Sequence, residues 1–345
     1  MKAFSSIVII LFLFSCSSEE KRPATKPHYA GKSGEVLLVL DNALIGSVLE
    51  DALERALTVP LARSPQSEAR AETRTVAAEN LADHNKVHRN LIFVELGRPS
   101  KKVSVSRDVW ANGQLVLRIV SPDMDAAVET VNANAEQILA LIEQEERFRT
   151  MSRLGFHRAE ALEERVFNEH GVRFIIPEEY RKIRSIKNFE WFEVDRIKYK
   201  GGREHHSIQG ILLYHYPYTN DSLLEVSSLS ITRDSILRRE LPGPTKGSYM
   251  TTEYKFRDID LSPIAWETEH NGMYAVYQQG LWKMENNYMG GPYVSLTQID
   301  SVAGRVITLE GFVYSPEFPK REMLREMDAI VHSLDIDPQV EIKPE

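Results

Sequence analysis

The sequence predicts an α+β protein in which an N-terminal α/β unit precedes a larger antiparallel-sheet domain closed by a C-terminal helix. Three observations support this prediction. Strand and helix patterns alternate over residues 34–150, strand patterns dominate from residue 171 onward, and an amphipathic helical pattern lies near the C-terminus. Alternating patterns are typical of a mainly parallel sheet, whereas strand patterns in succession favour an antiparallel one.

The first unit begins with a strand and a helix. Residues 35–40 form a continuous apolar run of the kind that is buried on both faces of a sheet. Apolar residues then recur at helical spacing, with Asp41 and Asn42 as candidate caps and Pro60 as the stop. The stretch 65–86 is polar and alanine-rich, and the sequence predicts no firm element there.

Two strands and a long helix complete the first unit. The strands are predicted at 90–96 and 114–120. Ser121 and Pro122 are typical of a helix start, because a capping side chain precedes a proline at the first helical position. Apolar residues at steps of three and four then predict one long amphipathic helix that ends near Phe148.

The second unit contains mostly strands. A linking helix near 159–169 ends at Gly171, a typical stop residue. Helical patterns also occur between 222 and 239 and after Ser315-Pro316, where the closing helix is predicted to begin. The predicted strands are 172–176, 188–194, 209–216, 264–269, 273–283 and 293–314, the last divided near Gly304. We expect an antiparallel sheet with the helices packed on one face.

The only cysteine, Cys16, ends an N-terminal secretory signal. Lys2 supplies a positive charge, and an apolar stretch leads to Leu13-Phe14-Ser15-Cys16, which has the form of a lipobox. The apolar stretch is too short to span a bilayer, which takes about 20 residues. We therefore expect cleavage before Cys16 and lipid attachment to its thiol. Such an anchor would hold the protein in the cell envelope, at the outer membrane on its periplasmic or surface face.

These features divide the chain into segments. We predict a signal peptide at 1–15, a tether at 16–33, the α/β unit at 34–150, a linking helix at 151–170, the antiparallel domain at 171–337 and a tail at 338–345. The tether has little apolar content and cannot form a core. No second apolar stretch of the sequence approaches bilayer length, so the lipid would be the only membrane attachment.

Composition excludes several functions. A formal net charge of −8 argues against nucleic-acid binding, which needs a concentrated basic surface. The one local cationic cluster, Arg98 with Lys101 and Lys102, has no interleaved aromatic residues and is interpreted as a solvated loop. With Cys16 used for lipid, the fold contains no cysteine for a disulfide, a thiolate metal site or a nucleophile. We predict neither a cofactor nor a metal.

Two histidine pairs imitate metal sites. His84 and His88 lie four residues apart, a spacing that suits a metal on one helix face, but His88 directly precedes a strand. We interpret both as solvated. His205 and His206 are adjacent in a predicted strand, so their rings point to opposite faces and form no joint site.

The strongest candidate for a binding surface is a segment in which aromatic and methionine side chains flank two glycines and a proline. Such a composition is typical of an adaptable recognition surface. Trp282, which precedes the segment, is interpreted as a core residue, whereas Tyr288 and Tyr293 could lie in the core or on the surface. The candidate binding residues are Tyr288, Met289, Gly290, Gly291 and Tyr293.

The order of several short motifs adds a family resemblance. They are 34–35 (GE), 88–90 (HRN), 233–236 (RDSI), 242–244 (PGP), 248–250 (SYM), 280–284 (GLWKM), 289–293 (MGGPY) and 310–316 (EGFVYSP). With these motifs, nearly the whole mature chain resembles an uncharacterised lipoprotein family of the Bacteroidota, domain of unknown function 4837. The resemblance implies an envelope location and supplies neither an activity nor site residues.

The second half also resembles, more weakly, the PsbP/Mog1-like fold. Residues 174–180, Trp191 and 321–334 would fill its first strand and turn, its aromatic second strand and its closing helix. Members of that fold act mostly as binding or assembly proteins rather than enzymes. Likeness of fold does not by itself fix a function.

Two functions therefore remain open. The first is a noncatalytic binding or assembly module that binds an envelope protein or a glycan. The second is an envelope hydrolase with a dispersed active site, for which the glutamates 267 and 269 could share one strand face. A deep pocket with convergent perturbed acids or a serine–histidine contact would favour the hydrolase, and a shallow apolar patch would favour binding. The sequence favours binding, because it contains no recognisable catalytic motif.

Overall fold

The computed structural model describes residues 26–336 of the 345-residue chain. The predicted signal peptide, Cys16 and the predicted tail at 338–345 lie outside the described residues. Within them, an α/β unit is followed by a larger antiparallel sheet, and a C-terminal helix packs on that sheet. The predicted fold class is thereby confirmed.

The first unit is a five-stranded sheet with the strand order β2-β1-β3-β5-β4, in which only β4 is antiparallel to its neighbour. Its elements are β1 (Glu35–Leu40), α1 (Val48–Leu57), β2 (Glu72–Ala77), α2 (Asp83–Lys86), β3 (Asn90–Glu95), β4 (Lys102–Arg107), β5 (Leu115–Val120), α3 (Met124–Ala133) and α4 (Ala135–Gly155). All six residues of β1 are buried, because α1, α3 and α4 cover one face and loop side chains such as Trp110 cover the other.

The two helix caps expected for this unit are wrong. The cap of α1 is Ser47, whose hydroxyl accepts a hydrogen bond from Leu49 N, and not Asp41 or Asn42. Similarly, Asp123 rather than Ser121 caps α3. In both cases the helix begins later than predicted, at the first polar side chain whose oxygen reaches a free backbone N–H of the first turn.

The long helix predicted to end near Phe148 is two helices. Asn134 has φ −116° and ψ 12°, which interrupts the helical backbone between α3 and α4. Its side-chain nitrogen donates to the carbonyl oxygen of Thr130 at 2.7 Å, a local bond that competes with helix continuation. In addition, Lys102 begins the edge strand β4 rather than lying in the solvated loop that was expected for Arg98, Lys101 and Lys102.

The second unit contains an eight-stranded sheet whose main path is β10-β14-β15-β16-β9-β8-β7, with β13 also paired to β14. Its elements are α5 (Glu160–His170), β6 (Val172–Arg173), β7 (Arg181–Ile186), β8 (Phe189–Lys200), β9 (Arg203–Pro217), α6 (Val226–Glu240), β10 (Tyr249–Thr252), β11 (Lys255–Phe256), β12 (Ile259–Asp260), β13 (Ile264–His270), β14 (Met273–Glu285), β15 (Gly290–Asp300), β16 (Arg305–Tyr314), α7 (Arg321–Val331) and β17 (Asp335–Ile336). Gly171 ends α5 with φ +65°, as predicted for the stop residue.

Helices cover both faces of this sheet, so the expectation of one covered face is wrong. On β9, Ile211 and Leu213 pack in the cluster that includes α7, whereas Leu212 and Tyr214 pack in the cluster that includes α6. Consecutive strand residues point to opposite faces, and both sets are apolar here. A continuous apolar run therefore marked a strand covered on both faces.

The α6 face contains a fully buried ion pair. Arg233 of α6 donates to both carboxylate oxygens of Glu310 on β16, at 2.8 and 2.7 Å, and its guanidinium lies 3.9 Å from the centre of the Tyr293 ring. Both charged side chains are 1% exposed or less. A bidentate pair with these partners satisfies the buried charges without access to solvent. We assign it to the stability of the fold.

The predicted domain boundaries at residues 150 and 171 stay a prediction. The two large sheets share no strand, and the chain passes between them through α4 and α5. Ion pairs and side-chain hydrogen bonds join α4 to α7, including Arg153 to Glu326 at 2.7 Å. These contacts place two helices from different parts of the chain side by side, and a cavity of about 520 Å³ adjoins them.

Candidate functional site

The candidate site is a cleft of about 520 Å³ between the two units. Its walls are the loop after α1 (59–62), one face of α4, the β13–β14 hairpin and one face of α7. Positions 136, 140, 143 and 147 of α4 line it at helical spacing. The opposite face of α4 packs on the first sheet, so the cleft-facing residues are held by a rigid element.

The floor of the cleft is a polar cluster around Asp328 of α7. Arg147 Nε donates to Asp328 Oδ2 at 2.8 Å, and the Tyr277 hydroxyl donates to Oδ1 at 2.7 Å. His332, one turn further along the chain, has Nδ1 3.3 Å from Oδ1. Gln279 in turn donates to the Tyr277 hydroxyl at 3.0 Å. The cluster therefore joins α4, β14 and α7 through one carboxylate.

Charge and burial perturb the groups of this floor. Burial opposes ionisation of Asp328, but Arg147 and His332 outweigh it and hold the pKa of the carboxyl far below its usual range. Burial raises the pKa of Tyr277 well above its usual value, and the charge of Asp328 adds to this effect. At neutral pH, Asp328 is therefore an anion and Tyr277 a neutral hydrogen-bond donor.

An aromatic side chain stands at the edge of the cleft. Trp266 of β13 is 44% exposed, and its ring centre lies 5.9 Å from that of Tyr277. Tyr277 in turn lies 5.0 Å from the His332 ring. The exposed part of the indole offers a large, flat apolar area at the edge of the cleft.

The other acidic groups that line the cleft contact arginines. Arg70 donates to both carboxylate oxygens of Glu143, at 2.9 and 2.6 Å, and also contacts Glu136 at 3.2 Å. Glu146 is held by Arg149 at 2.7 Å. Each of these three carboxylates is therefore engaged in an ion pair with an arginine. The exception is Glu267, which is exposed on β13.

The structure separates the residues of the predicted recognition segment. Tyr288 is fully exposed in the turn between β14 and β15, whereas Tyr293 is fully buried under Arg233. Met289 packs partly against the core on the α6 face. Trp282 is buried there, as expected, and its indole N–H donates to the carbonyl oxygen of Val313 at 3.2 Å. Recognition by this segment stays a prediction, and Tyr288 with parts of Met289 and Gly290 is available for it.

Gly290 and Gly291 do not shape a turn of the backbone. Both lie in strand β15, and neither belongs to the residues with positive φ. Their lack of a side chain serves close packing instead. A Cβ atom on Gly291 would collide with the carbonyl oxygen of Val313, and one on Gly290 would lie 2.8 Å from the carbonyl oxygen of Trp282.

The histidine pairs form no joint site. His88 is buried, not solvated as expected, and its Nε2 lies 3.3 Å from Glu35 Oε2, while His84 is exposed. His206 contacts Asp195 at 2.7 Å. The His205 ring instead packs edge-on against the Phe318 ring, with 6.0 Å between the ring centres. The rings of neighbouring histidines thus point in different directions, as the strand period requires.

One cluster has donor atoms close enough for a metal ion. Glu169, His170 and Glu190 bring a nitrogen and two carboxylate oxygens within 4.8 Å of one another, the one such group among residues 26–336. Arg165 already bonds both glutamates, at 2.6 Å to Glu169 and 2.9 Å to Glu190. A metal ion would have to displace this guanidinium, so we assign the cluster to an ion-pair network.

Sequence reasoning missed the cleft as a site. Its floor combines Arg147 with residues 277, 328 and 332, and Arg147 and Asp328 are 181 positions apart in the chain. Spacing patterns report neighbours within one element and contain no signal for a contact between distant helices. The only sequence signal is Trp266, a tryptophan in a strand whose neighbours 267–269 are polar.

Comparisons with known proteins match this chain to two families of unknown function, and neither match supplies an activity. A family model described as Domain of unknown function (DUF4837) matches residues 159–333, and one described as Domain of unknown function (DUF8532) matches residues 30–155. Among curated protein sequences, none matches this chain. Neither family description names a reaction, ligand or partner.

Two solved structures are similar to part of the chain. One is the Saccharomyces cerevisiae Ran-binding protein Mog1p, with 11% identity, a TM-score of 0.29, and coverage of 48% of this chain and 90% of that one. The other is a mutant of the protein Mog1, with 9% identity, a TM-score of 0.30, and coverage of 49% and 92%. Likeness at this level carries no inference about function.

Replacing Asp328→Asn should destabilise the protein in a pH-dependent way. The change leaves Arg147 without its carboxylate, and breaking a buried pair costs about 3 kcal/mol of unfolding free energy at pH 7. Because the folded-state pKa of Asp328 is lowered, its contribution is complete above the unfolded value of about 3.9 and declines as pH falls toward the folded value.

Urea unfolding of wild type and variant across pH 3 to 7 measures this difference. We expect the difference between the two unfolding free energies to be constant above about pH 5 and to begin falling below about pH 4, as the unfolded state takes up the Asp328 proton. Asp258→Asn, a change at an exposed turn residue, is the control and should have little effect. A difference between wild type and Asp328→Asn that stays constant with pH would contradict the assignment.

Proposed function

This chain belongs to the family Domain of unknown function (DUF4837), and we propose that it is a noncatalytic binding protein held at the cell envelope by a lipid on Cys16. The cleft between its two units is the proposed ligand site. The observation that carries the proposal is a preformed cleft with an exposed tryptophan at its edge and a floor of paired charges. Concave sites of this size with a few fixed polar groups are the usual form of ligand pockets.

The lining of the cleft suits a glycan. The Trp266 ring offers a flat apolar face to the C–H face of a sugar, and neighbouring groups of both charges can bond its hydroxyls. Gln279 and Arg70 are donors that line the cleft together with the carboxylate of Glu267. An apolar peptide would gain less here, because charged side chains occupy much of the α4 and α7 faces. A protein partner is the alternative that the experiment below distinguishes.

The hydrolase alternative finds less support. Acid–base hydrolysis needs one carboxyl group whose pKa is raised beside one that stays ionised. Burial raises the pKa of Glu163 and of Glu193, but neither lines the cleft. Among residues 26–336, no serine hydroxyl forms a hydrogen bond with a histidine ring that could activate it. The described cleft residues thus bind and orient rather than transfer protons.

The envelope location rests on the sequence of the N-terminus. The positive residue, the short apolar stretch and the Leu-Phe-Ser-Cys ending fit a lipoprotein signal that is cleaved before Cys16. In the part of the chain that the structure describes, no helix is long and apolar enough to cross a membrane. The proposed anchor would leave the cleft free to meet ligands in the envelope space.

Cys16→Ala should abolish metabolic labelling with a fatty acid. Without Cys16 the protein lacks the lipid that is its proposed membrane attachment, so the substituted protein should also leave the membrane fraction. The measurement is labelling of the full-length protein in its native cells, followed by membrane fractionation. Ser18→Ala, a change two residues after the cysteine, is the control and should retain the label. Label on the Cys16→Ala protein would contradict lipid attachment at this residue.

Trp266→Ala should weaken glycan binding without lowering stability. Loss of one aromatic contact costs about 1 to 1.5 kcal/mol, which corresponds to about a tenfold loss of affinity. The full-length protein, solubilised in detergent, is applied to an array of bacterial envelope glycans, and melting temperatures are measured in parallel. Because the indole is 44% exposed and belongs to none of the buried hydrophobic clusters, the melting temperature should change little.

Two exposed tyrosines serve as matched controls. Tyr288→Ala tests the turn that the sequence singled out, and Tyr199→Ala tests an exposed ring remote from both. We expect both variants to bind glycans like wild type. Loss of binding with Tyr288→Ala but not with Trp266→Ala would move the site to the turn. Capture of envelope proteins with no glycan bound would show that the partner is a protein.

A further inference from the structure

A second cavity, of about 180 Å³, lies beside the cleft and is rich in arginine. It shares Arg325 of α7 with the cleft, and Glu146 of α4 lies between the two cavities. Its lining includes two aliphatic hydroxyls, an aromatic ring and four guanidinium groups. These residues are Tyr29, Ser33, Thr150 and the arginines 89, 149, 153 and 325.

Two of the arginines share one carboxylate in the buried wall. Arg89 contacts Glu146 Oε2 at 2.8 Å, and Arg149 contacts Oε1 at 2.7 Å. Both guanidinium groups lie over the Tyr29 ring, at 4.7 and 5.1 Å from its centre. Their side chains are nine-tenths or more buried, and the Nε of Arg89 has no hydrogen-bond partner. The wall therefore holds two positive charges against one negative charge.

The charge of this wall is incompletely balanced. Burial lowers the pKa of Arg149, and the neighbouring charge of Arg89 lowers it further in spite of Glu146. Two like charges in such surroundings repel each other and leave an attraction for an added anion. A buried donor without a partner, such as Arg89 Nε, also costs free energy that a bound acceptor nearby would reduce.

The other two arginines form the rim. Arg153 contacts Glu326 at 2.7 Å and is 59% exposed, so its guanidinium can turn toward a ligand. Arg325 contacts Glu322 at 2.7 Å and donates to the Ser33 hydroxyl at 3.2 Å. Four arginines thus face three glutamates around the cavity. The Arg153–Glu326 pair, whose arginine is exposed, is weak enough to rearrange, whereas Arg325 is only 14% exposed.

We infer that this arginine pocket binds an oxyanion, either a phosphate or a carboxylate group. Arginine guanidinium groups bond such groups through two parallel N–H donors, and the volume of the pocket suits a group of that size. The pocket adjoins the cleft at Arg325, so the oxyanion is either free or the acidic group of the ligand in the cleft. The inference about the pocket itself does not depend on the proposed glycan.

Inorganic phosphate tests the pocket alone. With the full-length protein at constant ionic strength, phosphate should raise the melting temperature by about 3 °C, because a ligand that binds only the folded state stabilises it. The double variant Arg153→Gln with Arg325→Gln should lose this shift. Arg239→Gln, which removes an arginine as exposed as Arg153 but remote from the pocket, should retain it. An equal phosphate shift in the double variant would overturn the inference.

Arg153→Gln alone guards against a folding defect. Its side chain is exposed and forms only a rim pair, so the variant should fold like wild type while its affinity for phosphate falls about threefold. Loss of affinity in Arg239→Gln to the same extent would show nonspecific screening and would overturn the inference. Absence of any phosphate shift in the wild-type protein, with no carboxylate probe bound either, would do the same.

Short oligogalacturonate, an acidic glycan, distinguishes the two sources of the oxyanion. Its methyl ester has the same sugars without charge and is the matched control. If the anion belongs to the cleft's ligand, oligogalacturonate binds more tightly than its ester, and Trp266→Ala weakens both while leaving phosphate binding unchanged. If the oxyanion is free, phosphate binds and the acidic glycan has no advantage over its ester. Failure of glycan binding with phosphate binding intact would refute the proposed function and leave the arginine pocket standing.

Discussion

The ion pair between Arg147 and Asp328 is the contact on which the functional architecture depends. It joins a helix of the first unit to a helix of the second, across 181 positions of sequence. Removing two charges from water is costly, so such a pair persists only when further bonds satisfy its remaining atoms. Here Tyr277 and His332 supply them, and the same four side chains form the floor of the cleft. The cleft exists because the two units are held at this point.

The neighbouring residue, Glu146, couples the cleft to the arginine pocket. Helical neighbours at 146 and 147 point in different directions, one toward Arg89 and Arg149 and the other toward Asp328. One turn of α4 thus contributes an anion to the pocket wall and a cation to the cleft floor.

Much of the fold could be predicted from sequence because its signals are local. Apolar runs marked the buried strands, and Gly171 marked the end of α5. The break at Asn134 could not be predicted, since the apolar period continues through it and only a local side-chain bond interrupts the helix. The distribution of the helices over both faces of the large sheet was also missed. Strand period shows that both faces are apolar and does not show which helix covers each.

The site was less predictable than the fold. Composition drew attention to the tyrosines near Gly290, but strand period buries Tyr293 while the turn exposes Tyr288. The two glycines there accommodate the passing backbone of Val313 and Trp282 and do not shape a recognition loop. The cleft, in contrast, is assembled from segments that are distant in sequence, where residue types alone predict no contact.

Photo-crosslinking from position 266 tests the central claim most directly. A photoreactive phenylalanine analogue would replace Trp266 in the full-length protein in its native cells, with positions 288 and 199 as comparisons. The proposed cleft site predicts that illumination attaches carbohydrate to the protein from position 266 and not from the other two. Crosslinks of equal yield from all three positions, or carbohydrate attached only from position 288, would contradict a ligand site between the two units.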